Sequence, residues 1–207
     1  MKTKLNVAGV KENIYGNGWW QGVPIIEVKF AGCSVGCEEC DSKHLWKKEA
    51  GFRKDPYELF EQITQESALK RVLFTGGEPL EQPLDLLGML YYKLHRAGYS
   101  IHTETSGLYM DQRKYIRFGW WTVSPKPKYD FRVDIPLCDE LLVVEHPRVT
   151  VNVLNSLSNQ YAKSVRRILQ PANCDVVSLR RCIELLPQTD DLWMLRLQTG
   201  KMIGLNW

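Results

Sequence analysis

The sequence has no apolar run long enough to cross a bilayer, and no linker or low-complexity stretch divides it. Its 207 residues are 44% hydrophobic, enough to bury a substantial core, so we expect a single domain over residues 1–207. The formal net charge is only +3 and is spread along the chain, so it indicates no basic groove for nucleic acid. We therefore expect a soluble, cytoplasmic protein that binds neither a membrane nor nucleic acid.

A disulfide framework is also missing, because the six cysteines show no paired spacing and a chain of this size does not need disulfides. Three cysteines crowd into eight residues after a β-rich stretch: Cys33, Cys37 and Cys40. Thiolates this close select zinc or an iron–sulfur cluster. His44 could complete a zinc site, whereas a cluster held by three cysteines would leave one iron open for a further ligand. These residues alone leave both metals open.

The remaining cysteines fit no common cluster spacing, and we expect them to be buried thiols. They are Cys138, Cys174 and Cys182.

Alternating β-rich and helical stretches predict a mostly parallel α/β sheet. The segment Asp55-Pro56-Tyr57-Glu58 carries a capping box with proline at the first helical position, and leucines at helical spacing from Leu84 predict a second helix that Gly98 ends. A third helix is predicted over residues 176–186, and the pattern over residues 147–160 is ambiguous. Strands are predicted over residues 24–30, 71–75, 100–104, 120–124, 140–144, 165–169 and 192–197.

Four short loops each follow a predicted strand. They are Gly32-Cys33, Thr75-Gly76-Gly77, Thr105-Ser106-Gly107 and Ser124-Pro125-Lys126. The carboxyl ends of parallel strands share one edge of a sheet, and ligands bind there in parallel α/β folds. We therefore expect these loops to form a common site.

Two of these loops together resemble the radical S-adenosylmethionine superfamily. Its Cys-x3-Cys-x2-Cys loop, matched by Cys33, Cys37 and Cys40, holds a 4Fe-4S cluster whose open iron is chelated by S-adenosylmethionine. Its Gly-Gly-Glu-Pro loop, matched by Gly76-Gly77-Glu78-Pro79, binds the ammonium of that cofactor. The resemblance favours the cluster over zinc and makes His44 a loop or packing residue.

Six further stretches resemble the 7-carboxy-7-deazaguanine synthase family. They are Ile14-Tyr15-Gly16-Asn17-Gly18, Cys40-Asp41-Ser42, Glu104-Thr105-Ser106-Gly107, Ser124-Pro125-Lys126-Pro127, Leu169-Gln170-Pro171 and the segment from Leu197 to Gly204. The resemblance implies an incomplete, shortened β/α barrel of the TIM type. It also implies a radical carbon–nitrogen lyase that contracts the ring of 6-carboxy-5,6,7,8-tetrahydropterin to 7-carboxy-7-deazaguanine with loss of ammonia. A homodimer and an external electron donor such as flavodoxin are expected.

The same resemblance assigns roles to individual residues. Ser42 is expected to bind a magnesium ion, since a hydroxyl oxygen suits that hard cation. Contacts to S-adenosylmethionine are expected from Glu39, Cys40, Asp41, Gly77, Glu78, Ser124, Pro125 and Lys126. Contacts to the pterin are expected from Ile14, Tyr15, Gly16, Lys29, Thr75 and Glu104, the last of which could reach either ligand.

Four positions depart from the family pattern. Lys29 stands in place of arginine, Tyr15 of glutamine, Asn17 of glutamate and Gly200 of histidine. Lys29 keeps a positive charge but loses the bidentate fork that arginine offers a carboxylate. All four positions lie in motifs expected to face the substrate, while the cluster and cofactor motifs are intact.

Two other functions remain open at this point. An activase that installs a glycyl radical on a partner protein shares the cysteine and Gly-Gly-Glu-Pro loops, but it does not explain the segment Ser124-Pro125-Lys126-Pro127 or the Gln198-containing C-terminus. A non-enzymatic module that binds zinc or an iron–sulfur cluster is the second alternative.

Overall fold

The computed structural model describes residues 4–109, 119–134, 138–172, 174–190 and 192–202. Its strands are β1 (Leu5–Ile14), β2 (Pro24–Phe30), β3 (Phe52–Lys54), β4 (Arg71–Gly76), β5 (Ser100–Thr105), β6 (Trp120–Val123), β7 (Glu140–Val144), β8 (Arg166–Gln170) and β9 (Trp193–Leu195). Its helices are α1 (Pro56–Glu66), α2 (Leu84–Arg96), α3 (Val151–Asn159), α4 (Val176–Leu185) and α5 (Thr199–Met202). Ile203 and Gly204, the end of the C-terminal motif, lie outside the described residues.

These strands form one open sheet in the order β3-β1-β2-β4-β5-β6-β7-β8-β9. Every neighbouring pair from β2 to β9 is parallel, whereas β1 pairs antiparallel with both β2 and β3. The sheet ends at β3 and β9 without closing, which confirms the prediction of an incomplete β/α barrel. In the described part of the chain, no helix is long and apolar enough to cross a membrane.

The capping-box prediction for α1 is confirmed. Asp55 Oδ1 accepts a hydrogen bond from the backbone N–H of Tyr57 (2.8 Å), and Glu58 Oε2 accepts one from the backbone N–H of Asp55 (3.2 Å). Together they satisfy two backbone donors that a helix start leaves without partners. The helix predicted after Leu84 is confirmed as α2, and Gly98 follows it with φ +79°.

Four elements were not predicted from the sequence: strands β1 and β3 and helices α3 and α5. Strand β1 is ten residues long, but only Leu5 and Val7 are buried, so its apolar pattern is weak. The ambiguous segment contains helix α3, in which the side chain of the N-cap residue Thr150 accepts a hydrogen bond from the backbone N–H of Val153 (3.3 Å).

The two faces of the sheet have different characters. One face packs against α1 and α2 through an aromatic row in which Phe30, Phe74, Tyr91 and Trp121 have neighbouring ring centroids 5.0–6.1 Å apart. Side chains alternate along a strand, so the intervening residues point to the opposite face. That face is partly polar and lines a cavity, to which β2 contributes Ile25, Glu27 and Lys29.

Candidate active site

A cavity of about 580 Å³ lies at the carboxyl ends of the parallel strands. The four loops predicted to share a site all contribute to its lining. So does every residue assigned above to the cluster, S-adenosylmethionine, magnesium or the pterin. Residues as distant in the sequence as Gly16 and Gly200, which are 184 positions apart, therefore meet around one space.

The cysteine loop suits a cluster better than a single zinc ion. No group of three or more His, Cys, Asp or Glu side chains in the described ranges is placed to hold one metal ion, and His44 is exposed. Zinc needs its ligands to converge on one point, whereas the irons of a cluster keep its thiolates apart. Cys40 Sγ already accepts hydrogen bonds from Ser42 N and Trp46 Nε1, both at 3.4 Å. Such donors stabilise a bound thiolate.

Burial affects the other two thiols of this loop. It raises the pKa of Cys33 to about 11 and also raises the pKa of Cys37. A bound metal reverses this effect, because a coordinated thiol is deprotonated. The loop would therefore gain its thiolate character from a metal centre bound to it.

A second loop supports the cysteine loop from outside. Lys128 Nζ donates hydrogen bonds to the carbonyl oxygens of Val35 (2.9 Å) and Gly36 (3.3 Å), and Tyr129 Oη donates to Val35 O (3.1 Å). The sequence analysis assigned no role to Lys128. Its contacts join residues about 90 positions apart, so the local pattern carried no signal for them.

The two glycines of the Gly-Gly-Glu-Pro loop let it pack directly on the cysteine loop. Gly77 N donates to Phe30 O (2.8 Å), and Glu78 N donates to Gly32 O (2.9 Å). A Cβ added at Gly77 would lie 2.3 Å from Gly32 O. Gly76 has φ +102°, and a Cβ there would lie 2.6 Å from Phe30 O. Neither position accommodates a larger residue, because the obstacle is backbone.

The Glu78 carboxylate accepts four hydrogen bonds from the protein. Oε1 accepts hydrogen bonds from Thr105 Oγ1 (2.6 Å) and Leu80 N (3.1 Å). Oε2 accepts them from the backbone N–H (2.9 Å) and the hydroxyl (2.7 Å) of Ser106. The residue is only 2% exposed. Its carboxylate thus fixes the loop after β5 relative to the glycine loop.

A second carboxylate organises the half of the cavity expected to hold the pterin. Glu104 Oε1 accepts hydrogen bonds from Tyr15 Oη (2.7 Å) and Asn17 Nδ2 (3.4 Å), and its Oε2 accepts one from Thr75 Oγ1 (2.7 Å). Tyr15, Thr75 and Glu104, three of the residues expected to contact the pterin, therefore form one hydrogen-bonded cluster. Two of the departures from the family pattern, Tyr15 and Asn17, meet on this carboxylate.

A third departure from the family pattern, Gly200, lies against the segment around Gly16. Thr199 N donates to Gly16 O (3.1 Å), and a Cβ added to Gly16 would lie 3.1 Å from the backbone nitrogen of Gly200. The segment around Gly16 is thus held between Glu104 on one side and the C-terminal motif on the other.

A buried polar network, which the sequence did not reveal, lies beneath this cluster. Thr122 Oγ1 donates to Glu140 Oε1 (3.2 Å) and is 2.7 Å from His102 Nε2, while Trp19 N donates to Glu140 Oε2 (2.7 Å). Burial raises the pKa of Glu140 to about 7 and lowers the pKa of His102 to about 3, so the imidazole is neutral. Gly18 packs so closely that a Cβ on it would lie 2.1 Å from Glu140 Oε1.

Two further residues line the cavity and were not assigned a role. Gln170 is 3% exposed, and its Oε1 has no hydrogen-bond partner among the described residues. In the sequence, the motif Leu169-Gln170-Pro171 was the feature that pointed to Gln170. His146 Nε2 lies 3.2 Å from Glu39 Oε1 and links the loop after β7 to the cysteine loop.

The match to known proteins covers nearly the whole chain. A family model described as a 4Fe-4S single cluster domain matches residues 17–115. The 7-carboxy-7-deazaguanine synthase of Synechocystis sp. is 30% identical over 202 residues, covering 97% of this chain and 93% of the relative. The chain belongs to the 7-carboxy-7-deazaguanine synthase family. The Escherichia coli member of this family is 28% identical over 94% of this chain and 96% of its own length.

A solved structure agrees with this family assignment. The crystal structure of QueE from Escherichia coli superposes with a TM-score of 0.75 at 26% identity, covering 94% of each chain. Membership in the 7-carboxy-7-deazaguanine synthase family makes this protein a radical S-adenosylmethionine enzyme with an iron–sulfur cluster. It also decides against the glycyl-radical activase and the zinc module.

Proposed function

We propose that this protein is a 7-carboxy-7-deazaguanine synthase. It would convert 6-carboxy-5,6,7,8-tetrahydropterin to 7-carboxy-7-deazaguanine with loss of ammonia. The observation that carries the proposal is one cavity lined both by the three-cysteine loop and by the cluster of Tyr15, Thr75 and Glu104. The family relatives carry the same name over almost the full length of the chain.

In the cofactor half, Cys33, Cys37 and Cys40 would hold the cluster. When bound, the reduced cluster and S-adenosylmethionine supply homolytic cleavage of the sulfonium. The glycine loop would place backbone carbonyl groups at the cofactor's ammonium. Lys126 Nζ donates to Ser124 Oγ (2.9 Å), which holds both side chains of that loop at the cavity wall. Glu39, Asp41, Glu78 and Pro125, which also line this half, would complete the contacts to S-adenosylmethionine.

In the substrate half, Lys29 would hold the substrate carboxylate through its charge. The hydroxyls of Tyr15 and Thr75, oriented by Glu104, would face the pterin ring, with Ile14 and Gly16 beside them. Ser42 would bind a magnesium ion through its hydroxyl, since that side chain lines the cavity and makes no capping hydrogen bond.

The direct test is an anaerobic assay of the reconstituted, reduced protein with 6-carboxy-5,6,7,8-tetrahydropterin, S-adenosylmethionine and magnesium. We expect a 7-deazapurine product and about one equivalent of released ammonia. An enzyme that cleaves S-adenosylmethionine but yields no deazapurine would defeat the assignment of substrate. Omitting magnesium in a parallel sample tests Ser42, because the proposed site predicts slower product formation without the ion.

Three further properties belong to the same proposal. The chain would fold as one domain over residues 1–207, act as a homodimer and receive electrons from an external donor such as flavodoxin. An oxygen-sensitive cluster also calls for a reducing compartment, so we propose the cytoplasm as its location. Light scattering after size exclusion measures the oligomeric state, and cofactor cleavage driven by reduced flavodoxin tests the electron donor.

A further inference from the structure

Strand β2 directs two opposite charges into the cavity. Its residues Ile26, Val28 and Phe30 enter the apolar core, while Glu27 and Lys29 line the cavity on the other face. Glu27 is 7% exposed, and its Oε1 lies 4.0 Å from Lys29 Nζ. This distance brings the two charges close together but exceeds the length of a hydrogen bond.

The Glu27 carboxylate has acceptor capacity to spare. It accepts a long hydrogen bond of 3.3 Å from Asn13 Nδ2, and Lys11, which faces Glu27 in the register of β1 and β2, places a second positive charge near it. The carboxylate of Glu78 accepts four hydrogen bonds, and that of Glu104 accepts three. A carboxylate offers about four acceptor sites, and leaving a buried one short of donors is costly. Of these three buried or half-buried cavity carboxylates, Glu27 therefore has the most acceptor capacity left for a ligand.

The same cavity lacks a carboxylate at the position where the family pattern has one. Asn17 replaces that glutamate; its Nδ2 donates to Glu104, and its buried Oδ1, which has no partner among the described residues, is a neutral acceptor and not an anionic one. Glu27 supplies a carboxylate from the neighbouring strand, beside the lysine expected to bind the substrate.

We propose that Glu27 and Lys29 form a paired substrate-binding subsite in which Lys29 holds the ligand's carboxylate and Glu27 accepts the adjacent ring N–H. This inference rests on the proposed function. In 6-carboxy-5,6,7,8-tetrahydropterin the carboxylate is on C6, and the N–H of N5 is bonded to that same carbon. An anionic acceptor and an N–H donor thus stand side by side on the ligand, matching the ammonium and the carboxylate of the subsite.

The subsite distinguishes the oxidation state of the pterin ring. Oxidised 6-carboxypterin keeps the carboxylate for Lys29, but its N5 carries a lone pair in place of a hydrogen. That lone pair would face the Glu27 carboxylate, where two acceptors repel each other. Glu27 therefore selects the reduced ring, while Lys29 binds both forms.

Binding without turnover tests the subsite. Cluster-reconstituted protein without S-adenosylmethionine is titrated anaerobically with fluorescent 6-carboxypterin, and 6-carboxy-5,6,7,8-tetrahydropterin is measured by competition. Since a hydrogen bond to a charged group contributes about 1.5–3 kcal/mol, the wild type should prefer the reduced ligand by about tenfold to 150-fold. In Glu27→Leu, the affinities for the reduced and the oxidised pterin should differ by no more than about twofold. Glu27→Gln should show an intermediate preference for the reduced pterin. Lys29→Met should weaken both ligands alike.

The matched control is Glu61→Gln, which removes a charge from an exposed position on α1. Iron content and circular dichroism verify that each variant keeps its fold, and Glu27→Gln preserves the side-chain size if Glu27→Leu is unstable. A wild-type ratio in both Glu27 variants would show that Glu27 only balances the charges of Lys29 and Lys11, and the inference would be wrong while the proposed function stood. A wild type that binds neither pterin would defeat the proposed function and this inference together.

Discussion

The phenol of Tyr15 donates a 2.7 Å hydrogen bond to Glu104 Oε1 across 89 positions of sequence. Tyr15 is a departure from the family pattern, whereas Glu104 belongs to a motif that matches it. The altered residue thus orients an unaltered one. The substrate half of the cavity has changed through its hydrogen-bond donors while keeping the central carboxylate.

Tyr15→Phe should weaken pterin use without affecting the cluster. It removes one of three donors to Glu104, a loss of about 1 kcal/mol, so the KM for the pterin should rise roughly fivefold. Cleavage of S-adenosylmethionine without pterin should be unchanged. Tyr92→Phe, at an exposed tyrosine of α2, is the control. An equal loss of cofactor cleavage would show that Tyr15 serves the cofactor half.

Gly77→Ala should prevent stable cluster assembly. The added Cβ would lie 2.3 Å from Gly32 O, so the glycine loop and the cysteine loop must separate. We expect iron per chain after reconstitution to fall at least severalfold. Gly9→Ala is the matched control, because no atom lies within 4 Å of a Cβ at that position. Full iron content in Gly77→Ala would contradict the close packing of the two loops.

Glu140 should make the stability of the apoprotein fall as pH rises. Its pKa is raised to about 7 by burial, so between roughly pH 4.5 and 7 the folded state keeps a proton that the unfolded state has released. Relative to Glu140→Gln, the free energy of unfolding of the wild type should therefore drop by about 3 kcal/mol from pH 4.5 to pH 8. Urea titrations of both proteins at several pH values measure the difference. Parallel pH profiles would mean that Glu140 ionises normally.

Lys128→Met should loosen the cysteine loop. Its ammonium holds the carbonyl groups of Val35 and Gly36, and losing these bonds should speed the removal of iron by a chelator roughly threefold to tenfold. Tyr129→Phe, which removes a single bond to Val35, should have a smaller effect. Lys163→Met, at an exposed lysine far along the chain, controls for the change in charge. Equal iron loss in Lys128→Met and the control would exclude the supporting role.

Iron should be bound by the first cysteine loop alone. Cys138 and Cys182 are buried, and Cys174 Sγ accepts a hydrogen bond from Gln198 N (3.3 Å). Replacing all three by alanine should leave about four iron atoms per chain, the content of one cluster. About eight iron atoms in the wild type, falling to four in the variant, would reveal a second cluster.

The elements that the sequence predicted are those with a strong local signature. Strand β2 is a β-rich run that ends at a glycine, and α1 begins with a capping box and a proline. Strand β1 escaped prediction because an antiparallel strand at this side of the sheet buries few side chains. The barrel itself came from the family resemblance and not from periodicity.

The candidate site also has parts that the sequence predicts and parts that it does not. The cysteine and glycine loops are contiguous motifs and could be read directly from the sequence. The network of His102, Thr122 and Glu140 takes one residue from each of three strands, and each looks like an ordinary strand residue by itself. The contacts of Lys128 with the cysteine loop are equally non-local. Such groups become visible only when the sheet register places them side by side.

Two backbone hydrogen bonds join the glycine loop to the residues around the start of the cysteine loop. Gly77 N donates to Phe30 O, and Glu78 N donates to Gly32 O. We expect this junction to couple the binding of the cluster to the binding of the cofactor, and coupled equilibria strengthen each other by the same factor. A chain that has lost its cluster should therefore lose affinity for S-adenosylmethionine beyond the loss of the iron contact itself. Conversely, saturating cofactor should protect the cluster from chelators.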